Sequence, residues 1–325
     1  MIRLLLSLVV FAGCLAAAPM YLVLLKGASA LAWYTPDGKL VHSVPVGEHP
    51  HEMVFSADRK LLYVADNGIM RIEHAGKGGN TISIVDVATR QRIGTIPLGE
   101  NYRPHGIDLD RATGRLVVTC EGPDGLLLVD TAARRVIRRF DTKGKTPHMV
   151  SLGPGGKWAY VSHSGGDTVG AVNLTTGEVK LLTTGTRPEG SVLSKDGKEL
   201  YVTNREAGTI SVIDTARNAV SATIQTGKGP VRIAITPDGS TLVYGLMHER
   251  RAGFADPGGR KQTDYLLLPN NPVSCTLSHD GRLAFFSAEE QDEVYVVSVK
   301  DRKLVGSIRT AKGAGPDPVE TVEVP

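Results

Sequence analysis

Apolar residues along this chain fall in short runs of five or six, alternating or continuous. Val231 to Thr236, Leu242 to Leu246 and Thr209 to Asp214 are examples, each bounded by Gly, Pro, Asp or Asn. That pattern predicts β-strands joined by tight turns, and no stretch beyond the N-terminal segment keeps the 3.6-residue period of a helix. The segment from Gly229 to Gly239 returns with variations at Pro50, Pro104, Pro147, Pro188, Pro230, Pro272 and Pro316, a repeat of about 42 residues apart from one interval of 54. Each unit reads strand, Pro-Asp-Gly-type turn, strand, loop, strand, turn, strand. Four strands in some 40 residues is the pattern of a propeller blade.

The two ends complete the count. Tyr21 to Gly47 supplies strands two to four of a blade without the first, and Val319 to Val324 supplies a lone first strand. The expected fold is all-β: a seven-bladed β-propeller of four-stranded antiparallel blades, closed by the C-terminal strand joining the N-terminal blade. Pairing the ends leaves no open edge in the ring. Residues 19–325 then form one domain. Blade six departs furthest from the repeat, since Arg251 to Pro257 stands where a third strand should resemble Thr209 to Asp214, and its outer strands stay open at this point.

Residues 1–18 read as a signal peptide: Arg3, an apolar run from Leu4 to Leu15, then Ala16-Ala17-Ala18. Phe11-Ala12-Gly13-Cys14 offers a rival lipobox ending at Cys14, and Leu4 to Leu25 a rival uncleaved anchor. A cut after Ala28-Ser29-Ala30 is rejected because it would divide the first blade. The expectation is an extracytoplasmic protein, periplasmic or secreted, with a membrane connection only through such a lipid or anchor. Cys120 and Cys275 lie four repeats apart and neither has zinc-type spacing, so both are expected to be isolated, packed thiols. Thirty-seven Lys and Arg against 34 Asp and Glu leave a formal charge of +3. That is too little to favour nucleic acid as a partner.

Tyr201-Val202-Thr203-Asn204 followed by Gly208 to Thr215 resembles the signature of the YVTN-repeat, or YncE-like, seven-bladed propellers. Weaker copies start at Tyr63 and Tyr160. The resemblance covers nearly all of the chain after residue 18. It implies the fold but not the activity, because propellers of this kind include lactone hydrolases, components of periplasmic oxidoreductases, surface proteins and binding scaffolds.

In an up-and-down blade, the loop entering strand one and the loop joining strands two and three emerge on the same face. The residue after each landmark proline gives, around the ring, Asp317, His51, His105, His148, Glu189, Val231 and Val273. The position of Asn204 gives Leu24, Asp66, Cys120, His163, Asn204, Leu246 and Ala288, with Glu121 directly after Cys120. Both columns place polar side chains on one arc, which core packing of a symmetric repeat does not require. The candidate ligand-binding residues are therefore His51, His105, His148, His163, Glu189, Asp66, Glu121, Asn204 and Asp317. The plain structural alternative is that Pro-His loops bond neighbouring carbonyls and Asp or Asn after a strand makes a local turn. His51, His105, His148 and Glu189 form a candidate set for a divalent transition metal. The extra residues of the long interval fall in Asn67 to Asn80, where Arg71, Glu73 and His74 could overhang the arc as a lid.

No Gly-x-Ser-x-Gly elbow or phosphate loop is present. The expected function is a monomeric binding or accessory protein presenting the arc to a small polar ligand, a metal or an envelope protein partner. The alternatives are a lactone hydrolase or oxidoreductase component using the same arc, or a structural surface protein.

Overall fold

In the computed structural model, which describes residues 18–324, side chains alternate along the inner strands toward the two flanking blades. Leu22 and Leu24 pack with Met53, Phe55 and Val64 of the next blade, while Tyr21 and Val23 pack with Phe285 and Val294 of the last. Seven such apolar clusters form, one at each junction between neighbouring blades. The core is thus a ring of seams, and each blade needs both neighbours to bury its faces.

The described residues form seven four-stranded antiparallel sheets. Blade one consists of Pro316–Val324, Ala18–Leu25, Ala30–Tyr34 and Leu40–Pro45. The closing strand pairs with the N-terminal one from Ala18↔Val324 to Val23↔Val319, then shifts register so that Pro316 opposes Leu25. Blades two to seven start at Pro50, Tyr102, Pro147, Pro188, Pro230 and Ser274. Blade six is complete: Arg251–Asp256 and Lys261–Leu267 are its outer strands, held by the ladder Leu242↔Ala255 to Leu246↔Arg251 with Phe254 fully buried. The expected targeting segment, including Cys14, lies outside the described residues apart from Ala18. Among the described residues no helix is long and apolar enough to cross a membrane. Cys120 and Cys275 are free and buried, and burial pushes both thiols up.

The Thr of the repeat signature ties blades together. Thr119 Oγ1 accepts from Gly106 N at 2.8 Å and donates to the His148 carbonyl of the next blade at 2.6 Å. Thr203 makes the same pair of contacts with Gly190 N and the Val231 carbonyl, and Ser287 donates to the Asp317 carbonyl at 2.5 Å. These bonds fix the backbone of the residues after the landmark prolines. The approach is close enough that a Cβ at Gly106 would lie 2.5 Å from the His148 carbonyl oxygen, which only glycine avoids.

Candidate functional site

Six of the seven landmark prolines follow a residue in the left-handed region: His49, Arg103, Thr146, Arg187, Gly229 and Gly315, with φ between 40° and 72°. For a residue other than glycine this conformation costs on the order of 1 kcal/mol. The resulting turn aims the next side chain into the mouth of the central channel. All seven residues of the first column line one cavity of about 350 Å³: Asp317, His51, His105, His148, Glu189, Val231 and Val273.

The second column does not reach the cavity. Asp66 accepts from Gly47 N, Thr81 Oγ1 and Ser83 Oγ at 2.9, 2.7 and 2.9 Å. Burial nevertheless raises its pKa to about 6. Asn204 donates to Thr209 and Ser211, and His163 contacts Thr168 at 3.0 Å. Burial lowers His163 to about 4. These three residues hold the loop between the second and third strands of their blades, a structural role in place of the expected one. The reason is the period of a strand: moving one residue along reverses the face. The next residue in each blade gives Lys26, Asn67, Glu121, Ser164, Arg205, Met247 and Glu289. Four of these, Lys26, Arg205, Met247 and Glu289, line the cavity. Lys26 falls into this column because of the register shift opposite Pro316.

The three cavity histidines touch one another. His51 Nδ1 lies 3.3 Å from His105 Nε2, and the His105 and His148 ring centres are 3.9 Å apart. Burial, then neighbouring positive charge or other imidazoles, holds all three well below their ordinary pKa, so the rings are neutral at pH 7. Hydrogen-bond accounting then sets the tautomer of His51. The Ile69 carbonyl, 2.7 Å from His51 Nε2, can only accept, so the neutral His51 ring has its lone pair on Nδ1, and His105 Nε2 faces both that lone pair and the Arg232 guanidinium, which can only donate. His105 Nδ1 lies 2.9 Å from Glu121 Oε1, and burial raises the Glu121 carboxyl to about 7 against the opposing charge of Arg103, whose Nε is 3.3 Å from Oε2. His148 Nδ1 is buried without a hydrogen-bond partner, 3.5 Å from Glu189 Oε2.

Charged side chains surround these rings. Arg232 bonds Glu52 across the channel, with Nε at 2.8 Å from Oε1, and its Nη2 lies 3.4 Å from His105 Nε2. Lys26 pairs with Glu289 at 2.9 Å and Asp317 at 3.3 Å. Burial acts to raise Glu189, but the guanidinium groups of Arg205, Arg232 and Arg187 hold it below the usual carboxylate range. The insertion Asn67 to Asn80 lies over the mouth as a strap. Arg71 reaches Glu290 of blade seven at 2.5 Å, and Glu73 reaches Arg187 of blade five at 3.3 Å. Met70 and Ile72 face the cavity, while His74 is exposed.

The residues do not fit the expected metal. Among the described residues no group of three or more His, Cys, Asp or Glu is arranged to hold an ion. His51 and His105 are bonded to each other, and the Arg232 guanidinium stands beside them where a second cation would be repelled.

The His105–Glu121 pair gives a pH prediction. Folding raises Glu121 above its ordinary value of 4.5 to about 7. Its contribution to stability is therefore full below 4.5 and is lost as the pH rises through about 7. The three lowered histidines act oppositely: their contribution is present above 6.5 and is lost on acidification through their folded values. The ring nitrogens of His105, followed by NMR, should titrate with a midpoint near 7, and Glu121→Gln should remove that transition. A transition that survives the substitution would assign it to another group.

Comparison with known proteins agrees with this architecture. The chain is 27% identical over 198 residues to the uncharacterized protein YncE of Salmonella typhimurium, an alignment covering 59% of this chain and 53% of the relative. The match thus spans about half the relative's length. No protein-family model matches. The periplasmic gluconolactonase PpgL of Pseudomonas aeruginosa superposes with a TM-score of 0.76 at 17% identity, over 95% of this chain and 100% of that one. The dihydro-heme d1 dehydrogenase NirN, in complex with DHE, superposes with a TM-score of 0.66 at 14% identity, over 92% and 74%. At these identities the two structures establish the fold alone. With its 42-residue repeat, its Tyr-Val-Thr-Asn signature and a ring closed by its own C-terminal strand, the chain is a YncE-like seven-bladed β-propeller.

Proposed function

We propose that this protein is an extracytoplasmic binding propeller that captures a small polar organic ligand at the channel mouth. The observation that carries the reading is one cavity of about 350 Å³ onto which seven equivalent loops converge, with three neutral imidazoles, one bearing an unpartnered buried nitrogen. A buried polar atom without a partner is costly in an otherwise satisfied structure, and a ligand can supply the missing bond. The volume lies at the small end of the roughly 300–1,000 Å³ typical of ligand pockets. The export-type N-terminus and the periplasmic location in the name of the PpgL neighbour support the compartment.

The test is affinity selection from a bacterial small-molecule extract, read by mass spectrometry, with the wild type beside His148→Ala and His105→Ala. Compounds enriched on the wild type and lost by at least tenfold on either variant are expected. Equal enrichment on all three proteins would contradict the reading.

One observation favours a second reading, hydrolysis of a lactone. His105 Nδ1 lies 2.9 Å from a Glu121 carboxyl that burial raises to about 7, a pairing suited to general base catalysis on water, and a gluconolactonase shares the fold. Glucono-δ-lactone opening above the uncatalysed rate, lost in His105→Ala, is the result this reading requires.

A further inference from the structure

Two arginines at the cavity share a single buried carboxylate, and this arrangement points to a chemical class. Arg187 and Arg205 share one carboxylate oxygen: Glu189 Oε1 lies 3.2 Å from Arg187 Nε and 3.4 Å from Arg205 Nη1. Arg205 Nε is buried and makes no hydrogen bond. Glu206 approaches the two arginines only to 3.9 and 4.0 Å, beyond hydrogen-bond reach. The remaining partner of Arg187 is Glu73 of the strap, 3.3 Å from Nη2, with a side chain 65% exposed. Five apolar side chains, Val231, Val273, Met247 and the strap's Met70 and Ile72, share the rest of the cavity wall with the charged groups of Lys26, Arg232, Glu289 and Asp317.

We propose that the cavity takes a small organic carboxylate with an apolar body, its carboxylate seated on Arg187 and Arg205, and that Glu73 is a built-in stand-in which the ligand displaces. The inference rests on the ligand-site reading above and deepens it. Guanidinium groups bind carboxylates through charge-assisted, often bidentate, hydrogen bonds. Glu73 holds its arginine from solvent, where an ion pair is worth little. A ligand carboxylate would meet the same groups in a less hydrated place and add burial of its apolar part. Because Glu73 is joined to the chain by the strap, its departure frees the strap's contact with blade five, while Arg71 still holds blade seven. Competition by an internal group lowers the apparent affinity by the fraction of time it occupies the site.

The experiment is calorimetric titration with phenylacetate, hexanoate and indole-3-acetate, each beside its uncharged amide. The proteins are the wild type, Glu73→Gln, Arg187→Gln and Arg205→Gln, with thermal melts confirming that each is folded. At least one carboxylate is expected to bind, with its amide tenfold or more weaker. Glu73→Gln should tighten carboxylate binding three- to tenfold and leave the amide unchanged, and either arginine variant should weaken the carboxylate tenfold. Acid and amide binding equally would overturn the carboxylate inference while leaving the ligand-site reading intact. No carboxylate binding on wild type or Glu73→Gln would also overturn it, and the ligand-site reading would then stand or fall on the affinity selection. Unchanged or weaker carboxylate binding in Glu73→Gln would remove the stand-in role.

Discussion

Lys26→Met is expected to lower the unfolding free energy in urea by about 3 to 5 kcal/mol. The Lys26 ammonium, about 8% exposed, bonds Glu289 of blade seven at 2.9 Å and Asp317 of the closing strand at 3.3 Å. It belongs to blade one, so the triad joins the three elements that meet where the ring closes. Methionine fills similar space but leaves two buried carboxylates without a counter-ion, and that loss exceeds the worth of the pair itself. Burial already raises Glu289, an effect Lys26 opposes. Without Lys26 the deficit should shrink as the pH falls and Glu289 protonates. Lys143→Met is the control: its 2.7 Å pair with Asp141 lies in solvent and should cost less than about 1 kcal/mol. Equal effects from the two substitutions would mean that the closure triad is not a buried electrostatic unit.

Truncation after Gly315 should have a still larger effect. The removed strand, Pro316–Val324, pairs with the N-terminal strand over most of its length, and Val319 packs in the seam with Phe285 and Val294. Its loss uncovers the edge of Ala18–Leu25 and opens seams on both sides of blade one, an exposed apolar edge of the kind that aggregates. The truncated chain should show no cooperative thermal transition by circular dichroism and should run as an aggregate on size exclusion. A monodisperse product melting at the parental temperature would contradict closure as the source of stability.

The fold was legible because each blade repeats the same physical solution. Alternation set the faces, the Pro-Asp-Gly turns set the strand ends, and the incomplete terminal units implied their own pairing. Blade six was harder, since Arg251 and Asp256 bracket its third strand with charge while the buried Ala252, Phe254 and Ala255 between them carry the strand. The site was half legible. The column after the landmark prolines lines the cavity at all seven positions because the proline fixes the loop that aims it. The column of Asn204 was displaced by one residue, which in a strand is the difference between cavity and interior. Lys26 was hidden by the bulge in blade one, and Arg187 by its left-handed backbone, which nothing in an arginine signals. Arg232 and Glu52 occupy equivalent positions two residues after Pro230 and Pro50, and their opposite charges were a readable sign of a contact across the channel.

The central claim is that the three neutral histidines form the floor of a ligand site. Its most direct test is the imidazole spectrum of protein labelled with 15N-histidine, recorded while adding the compound enriched by affinity selection. The account predicts that the ring nitrogens of His51, His105 and His148 shift together, with His148 Nδ1 gaining the signature of a hydrogen bond. His42, bonded to the Arg90 carbonyl on an outer strand, and His163 should stay unmoved. Saturable binding without movement of the three channel-mouth histidines would place the ligand elsewhere and contradict the account.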